Sequence, residues 1–149
     1  MQAICDWVHH HLEYRFASGR SDLSASEVIA RRYGVCCDFA HAAIALCRAF
    51  NLPARYVTGH LPDIGFVDPG TPMDFHAYCE VYLGQEWLTF DPRFNVPRIG
   101  RVKVAHGADA VDGAFATGDA GAGAGLRPPP NVLSLNVVPR YSRIAIGSL

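Results

Sequence analysis

Apolar positions along the first hundred residues follow two periods in turn, and the change of period lays out the chain. Ile4, Trp7, Val8, Leu12 and Tyr14 recur at close to helical spacing, which predicts a helix over residues 4–14. Gly19 to Asp22 reads as a polar loop. Ser24-Ala25-Ser26-Glu27 has the capping-box form, with Ser at the N-cap and Glu three residues on, so a short helix should run to about Tyr33 and end at Gly34. From Cys36 to Phe50 the apolar residues cover nearly the whole circumference. Cys36, Phe39, Ala40, Ala43, Ile44, Cys47 and Phe50 share one face, and Ala42, Ala45, Leu46 and Ala49 fill much of the rest. A helix apolar on all sides is a buried one, so this is the central helix. Asn51 should close it in a left-handed cap, with Pro53 just beyond.

The period then shortens to two. Ala54 to Thr58 reads as a strand, and Leu61 to Met73, with three prolines and two glycines, as a loop that is either a substrate-gating lid or an ordinary surface connection. Phe75 to Leu83 alternates: Phe75, Ala77, Cys79, Val81 and Leu83 share one face, and His76, Tyr78, Glu80 and Tyr82 the other. Gly84-Gln85 suits a two-residue hairpin turn, followed by a return strand from Glu86 to Asp91 that Pro92 stops. That turn pairs Leu83 with Glu86, Tyr78 with Asp91 and His76 with Arg93. Arg101 to Val104 predicts one more short strand. Beyond about residue 105 the composition changes, and 118–130 is Gly/Ala-rich and ends in three prolines. The expected organisation is one core domain over 1–117 and a poorly ordered tail over 118–149.

Composition adds boundaries. A chain of 149 residues, 50% hydrophobic and 18% charged, is long enough for one domain with a proper core. A net charge of −1 without a Lys/Arg cluster argues against a nucleic-acid or membrane surface as partner. No apolar run is long enough to span a bilayer, and no basic stretch precedes an apolar one at the start. The five cysteines, odd in number and irregular in spacing, point to reduced thiols and a cytoplasmic location.

The chemistry centres on Gly34-Val35-Cys36-Cys37-Asp38-Phe39-Ala40-His41. Cys36 opens the central helix, where unpaired N–H groups and the positive end of the dipole favour a thiolate nucleophile. The hairpin register supplies a base and an orienting group: His76 and Asp91 fall on one sheet face as diagonal neighbours, about 7–8 Å apart at the backbone. That face lies opposite the apolar stripe, so either the central helix packs on the His76 face or the strand ends twist to meet it. Cys36 would attack an amide carbonyl, His76 would take and return the proton, and Asp91 would fix the tautomer. The N–H groups of Cys36 and Cys37 would face the oxyanion, with Trp7 and Tyr14 as candidate side-chain donors.

Other candidates carry plainer readings. Cys47 and Cys79 lie on apolar faces as core residues. Cys37 is a bystander or a partner in a strained vicinal disulfide, Asp38 a helix cap, and His41 a packed core histidine. Arg55 reads as a surface or ion-pair residue. Tyr78 and Glu80 line the cleft or form a solvated strand face. Cys5 and His9 share a helix face beside His10 and His11, but no CxxC or HExxH accompanies them, so neither a metal nor a cofactor is expected.

Four ordered segments carry a family resemblance: residues 34–41, then Pro53-Ala54-Arg55-Tyr56-Val57-Thr58-Gly59, then Asp74-Phe75-His76-Ala77-Tyr78-Cys79-Glu80-Val81, then Phe90-Asp91-Pro92. Together they resemble the transglutaminase-like superfamily, its bacterial members most. The resemblance covers roughly residues 4–115. It implies an α+β, papain-like (cysteine proteinase) transglutaminase core with a central buried helix packed on an antiparallel sheet, and a triad falling on Cys36, His76 and Asp91. Family activities span amine transfer to glutamine, peptide or amide hydrolysis, and deglycosylation. Two positions depart from the pattern: Cys37 replaces a longer polar residue, and Tyr78 stands where Trp is common. The expected activity is cysteine-dependent acyl transfer on a peptide or protein amide, with water as the preferred acceptor. A non-catalytic interaction domain and a metal-binding protein are the rivals.

Overall fold

A computed structural model of the chain describes residues 1–20, 22–65, 75–110 and 112. Helix α1 spans Gln2–His11, strand β1 Glu13–Tyr14, helix α2 Ala25–Arg31, strand β2 Tyr33–Gly34 and helix α3 Cys36–Ala49. Strands β3 (Ala54–His60), β4 (Phe75–Leu83), β5 (Glu86–Phe90) and β6 (Val102–Gly107) follow. The four form an antiparallel sheet in the order β5-β4-β3-β6, so β4, which carries His76, is an interior strand. Helix α3 packs on one face of this sheet, and α1 and α2 pack against α3. Ala77, Cys79 and Val81 of β4 pack with Phe39, Ala40, Ala43, Ile44 and Cys47 of α3, while Cys5 and Val8 of α1, Leu12 just past its end and Val28 of α2 close the core around α3. The sequence left open which face the helix takes; it takes the Ala77 stripe, and His76 faces the other way.

Local chemistry accounts for most element ends. Ser24 and Glu27 form the capping box of α2, Glu27 N–H donating to Ser24 Oγ at 3.4 Å and Ser24 N–H to Glu27 Oε2 at 2.8 Å. Asn51 takes the left-handed conformation just past α3, with φ of 57°. In the β4–β5 hairpin Leu83 faces Glu86, and Gly84 and Gln85 both have positive φ, the mark of a type I′ turn.

Two predicted ends shift. The first helix stops at His11, not residue 14, and the second at Arg31, because the chain beyond each is drawn into a short parallel pairing of β1 with β2. Glu13 N–H donates to the Arg32 carbonyl and Arg15 N–H to that of Gly34, both at 2.9 Å. The tail over 118–149 and most of the proposed lid lie outside the described residues. No described helix is long and apolar enough to cross a membrane.

Candidate active site

The entry to α3 is built around one carboxylate. Asp38, the third residue of the helix, accepts from the Val35 N–H at 2.8 Å and from Arg31 Nη2 at 2.9 Å through the same oxygen. Arg31 also donates to the Tyr33 and Ser18 carbonyls, so it ties the end of α2 to the start of α3. A Cβ on Gly34 would lie 2.4 Å from Asp38 Oδ2, so only glycine leaves room for this clamp. Asp38 is thus the cap that the sequence suggests. Its effect is to fix the turn that carries Cys36, half-buried in the first turn, and Cys37, exposed beside it.

The opposite wall comes from the sheet. His76 Nε2 donates to Asp91 Oδ2 at 2.7 Å, and both side chains are nearly fully buried. This bond selects the Nε2–H tautomer of the neutral ring and leaves Nδ1, which has no hydrogen-bond partner among the described residues, as the basic nitrogen. The ladder ends one residue earlier, at Cys79 opposite Phe90, so Asp91 lies just past the end of β5. There Asp91 Oδ1 accepts from the N–H groups of Arg93 and Phe94, and its backbone carbonyl from that of Asn95. Helix α1 pins the same turn: Asp6 accepts from Asn95 Nδ2 at 2.8 Å, and the His9 ring bonds the Arg93 carbonyl at 2.8 Å.

A third group reaches Asp91. Arg101 Nη2 donates to the same Oδ2 at 2.8 Å, its side chain only 8% exposed and its guanidinium 4.7 Å from the centre of the Tyr78 ring. Burial pushes the Asp91 carboxyl up, but the hydrogen bond and charge of His76, with those of Arg101, outweigh it and bring it down to about 2.

The thiols do not behave independently. Cys36 and Cys37 act on each other's protonation, and Tyr56 of β3 acts on Cys37. The neighbouring Cys36, and after it Tyr56, outweigh burial and bring the Cys37 thiol down to about 6. Cys37 and burial hold Cys36 up; Ala77 and Arg93 act on it in the opposite direction. The pair therefore gives up one proton readily and the second with difficulty.

No hydrogen bond joins the Cys36 sulfur to the His76 ring among the described residues. Catalytic contacts are commonly longer before substrate binds. Cys47 and Cys79 are buried in the core, and all five cysteines are unpaired. Trp7 stacks on His11 at 4.3 Å, and Tyr14 lies under the Arg93 guanidinium at 3.7 Å. His41 is not a core residue; it is half-buried and 3.5 Å from Asp109. Tyr78 and Glu80 do not form a solvated face: both are buried, covered by Arg101 and by Arg55 and Lys103. No group of three possible metal ligands occurs among the described residues. Tyr56, Arg93 and Arg101 are the site neighbours that the sequence did not reveal. Arg93 and Arg101 arrive from irregular chain outside the strands, where no periodicity marks a contact, and Tyr56 from within β3, where alternation gives a face but not a partner.

The sequence model of the transglutaminase-like superfamily matches residues 1–92, more than half of the chain. The chain belongs to the transglutaminase-like superfamily. Among solved structures it is similar to one titled a "putative cysteine protease" from Cytophaga hutchinsonii, with 47% identity and a TM-score of 0.67 over 75% of this chain and 37% of that one. An uncharacterized protein of Mycobacterium tuberculosis is 36% identical over 104 residues, 62% of this chain and 32% of that protein. One of Mycobacterium leprae is 28% identical over 113 residues, 74% of this chain and 40% of that protein. The chain therefore spans a third to two fifths of the length of these relatives.

Proposed function

We propose that this chain carries out cysteine-dependent acyl transfer at an amide carbonyl of a peptide or protein, with Cys36 as nucleophile, His76 as general base and acid, and Asp91 as the group that orients His76. The observation that carries this reading is the buried His76–Asp91 bond at 2.7 Å, at the end of the sheet on which α3 packs. Cys36 gives its proton to His76 Nδ1 and its sulfur attacks the carbonyl carbon. The tetrahedral oxyanion faces the N–H groups of Cys36 and Cys37, which helix geometry leaves without intrahelical acceptors. Collapse returns the proton from His76 to the departing amine and leaves a thioester. Water, deprotonated by the same ring, then releases the acid and restores the thiol. Water is preferred over an amine acceptor because it needs no dedicated subsite. The unpaired cysteines suit a reducing, cytoplasmic setting.

The rival reading, an interaction domain that kept the fold without the chemistry, draws on the groups that hold the Cys36 thiol up. Iodoacetamide labelling separates the two. A nucleophilic Cys36 is alkylated well below pH 8.5, at least tenfold faster than the buried Cys47, and more readily still in Cys37→Ser, which removes the competing thiolate. Equal rates at Cys36 and Cys47 in both chains would sink the enzyme reading.

A further inference from the structure

The Asp91 carboxylate is held more tightly than a simple orienting group requires. Its Oδ2 serves two donors at once, His76 Nε2 at 2.7 Å and Arg101 Nη2 at 2.8 Å, while its Oδ1 takes two backbone N–H groups. Arg101 reaches this spot from the opposite edge of the sheet. Asp91 follows β5, Arg101 precedes β6, and residues 92–100 cross the end of the sheet between them. The approach depends on Gly59, where the β3–β6 register shifts: a Cβ there would sit 2.1 Å from the Val102 carbonyl oxygen, immediately after Arg101.

Burying this guanidinium is costly. Its side chain is 8% exposed, and among the described residues its Nη1 has no hydrogen-bond partner and its remaining support is the face of Tyr78. A buried arginine with an unmet donor is a poor device for stability alone, since an apolar side chain on the Tyr78 ring would avoid the desolvation cost. What the position does supply is a permanent positive charge on the oxygen that faces the histidine.

From this geometry we infer that Arg101 is a positioning residue for the reaction proposed above: it locks the Asp91 carboxylate on His76 Nε2 and takes up part of its charge. The inference rests on that reading of His76 and Asp91 and extends it by a fourth group. An unshared carboxylate would hold the imidazolium tightly and slow the return of its proton; a shared one lets the ring both take and release it. The groups facing the pair are few. Tyr78 of β4 and Phe94 of the turn flank the ring, and the Arg93 and Phe94 N–H groups cap Oδ1. Cys5 of α1 and Cys79 of β4 feel the Asp91 charge, and burial keeps both thiols protonated. Arg101 is therefore the permanent cation bonded to the carboxylate.

The test measures iodoacetamide alkylation of Cys36 against pH in the full chain carrying Cys37→Ser, with Arg101, Arg101→Lys, Arg101→Gln and Arg101→Met. Methionine keeps the packing on Tyr78 and serves where glutamine fails to fold, and labelling of Cys47 and Cys79 in the same samples reports unfolding. Removing the charge leaves the imidazolium better stabilised, so the ring beside the thiolate keeps its proton further into alkali. The alkaline step of the profile, where that imidazolium loses its proton, moves up by about one pH unit in Arg101→Gln or Arg101→Met, and Arg101→Lys restores it. A step that stays put or moves down in the charge-free variants, or that Lys does not restore, overturns the inference. A separate result strikes the underlying reading: if Cys36 reacts no faster than Cys47, or His76→Ala leaves its rate unchanged, the proposed function fails and the Arg101 role with it.

Discussion

Two buried carboxylates lie on the same side of the sheet, each held by an arginine, and they differ in what else touches them. Asp91 shares one oxygen between Arg101 and the ring of His76. Glu80 is held by two permanent cations, accepting from Arg55 Nε and Nη2 at 2.7 Å and pairing with Lys103 through its other oxygen. Around Glu80 both partners reach water: the Arg55 side chain is 23% exposed and that of Lys103 39%. Around Asp91 neither does. The same pairing chemistry therefore yields an ordinary ion-pair network at one position. At the other it yields a charge whose titratable bonded partner among the described residues is His76. Burial of an acid is thus weak grounds for function; the identity of its donors separates the two cases.

The sharpest way to break the comparison is to neutralise each carboxylate. With p-nitrophenyl acetate as acyl donor, Asp91→Asn should slow turnover by about 10⁴-fold, the scale of losing the orienting carboxylate in a comparable triad. Glu80→Gln should leave turnover within about twofold. Equal losses at both positions would mean that Asp91 is as structural as Glu80. In urea unfolding both substitutions cost stability. Glu80→Gln strands Arg55 and Lys103, and since both can turn to solvent the expected cost is about 2 kcal/mol, below the usual range for a fully buried pair, which Asp91→Asn should reach by stranding Arg101.

Acid separates the two through stability. Asp91 is brought from an ordinary 3.8 down to about 2 in the fold. A carboxyl lowered by folding stabilises the native state at pH above its unfolded value, and that contribution is lost as pH falls through the folded value. About 2 kcal/mol should therefore disappear between pH 4 and pH 2. Urea midpoints measured across that window should fall in the parent chain and stay flatter in Asp91→Asn. A parent curve that is equally flat would show that the charge on Asp91 is not held as described.

Much of this arrangement was legible from residues alone where local rules govern. The alternation of β4 and the Gly84-Gln85 turn set the hairpin register, and that register brought His76 and Asp91 to one face. The all-round apolar stretch marked α3 as buried, and the Ser24–Glu27 spacing marked a capping box that forms. What was not legible came from non-local contacts. The β1–β2 pairing is two residues long and too short for any periodic signal. Tyr78 and Glu80 alternate with apolar residues as a solvated face would, yet they are buried, because the cover is made of long cationic side chains and an irregular connection rather than an apolar element. Arg101 belongs to that cover, and nothing in its neighbours' pattern distinguishes it from Arg98 or Lys103.

The smallest expected effect sharpens the same contrast through the rings beneath the two arginines. Arg55 lies 4.1 Å from the centre of Trp87, which is 39% exposed, and Arg101 lies 4.7 Å from that of Tyr78, which is buried. An exposed cation–π contact contributes about 0.5–1 kcal/mol. Trp87→Leu keeps an apolar residue on β5 and removes the ring that meets Arg55 and Tyr82, while Arg55 retains its two bonds to Glu80. Stability should drop by about 1 kcal/mol or less, read as a small fall in urea midpoint with unchanged slope. The pH profile of Cys36 alkylation should not move at all. A shifted profile would mean that the Glu80 network reaches the thiol, and the two carboxylates would then have to be treated as one connected system.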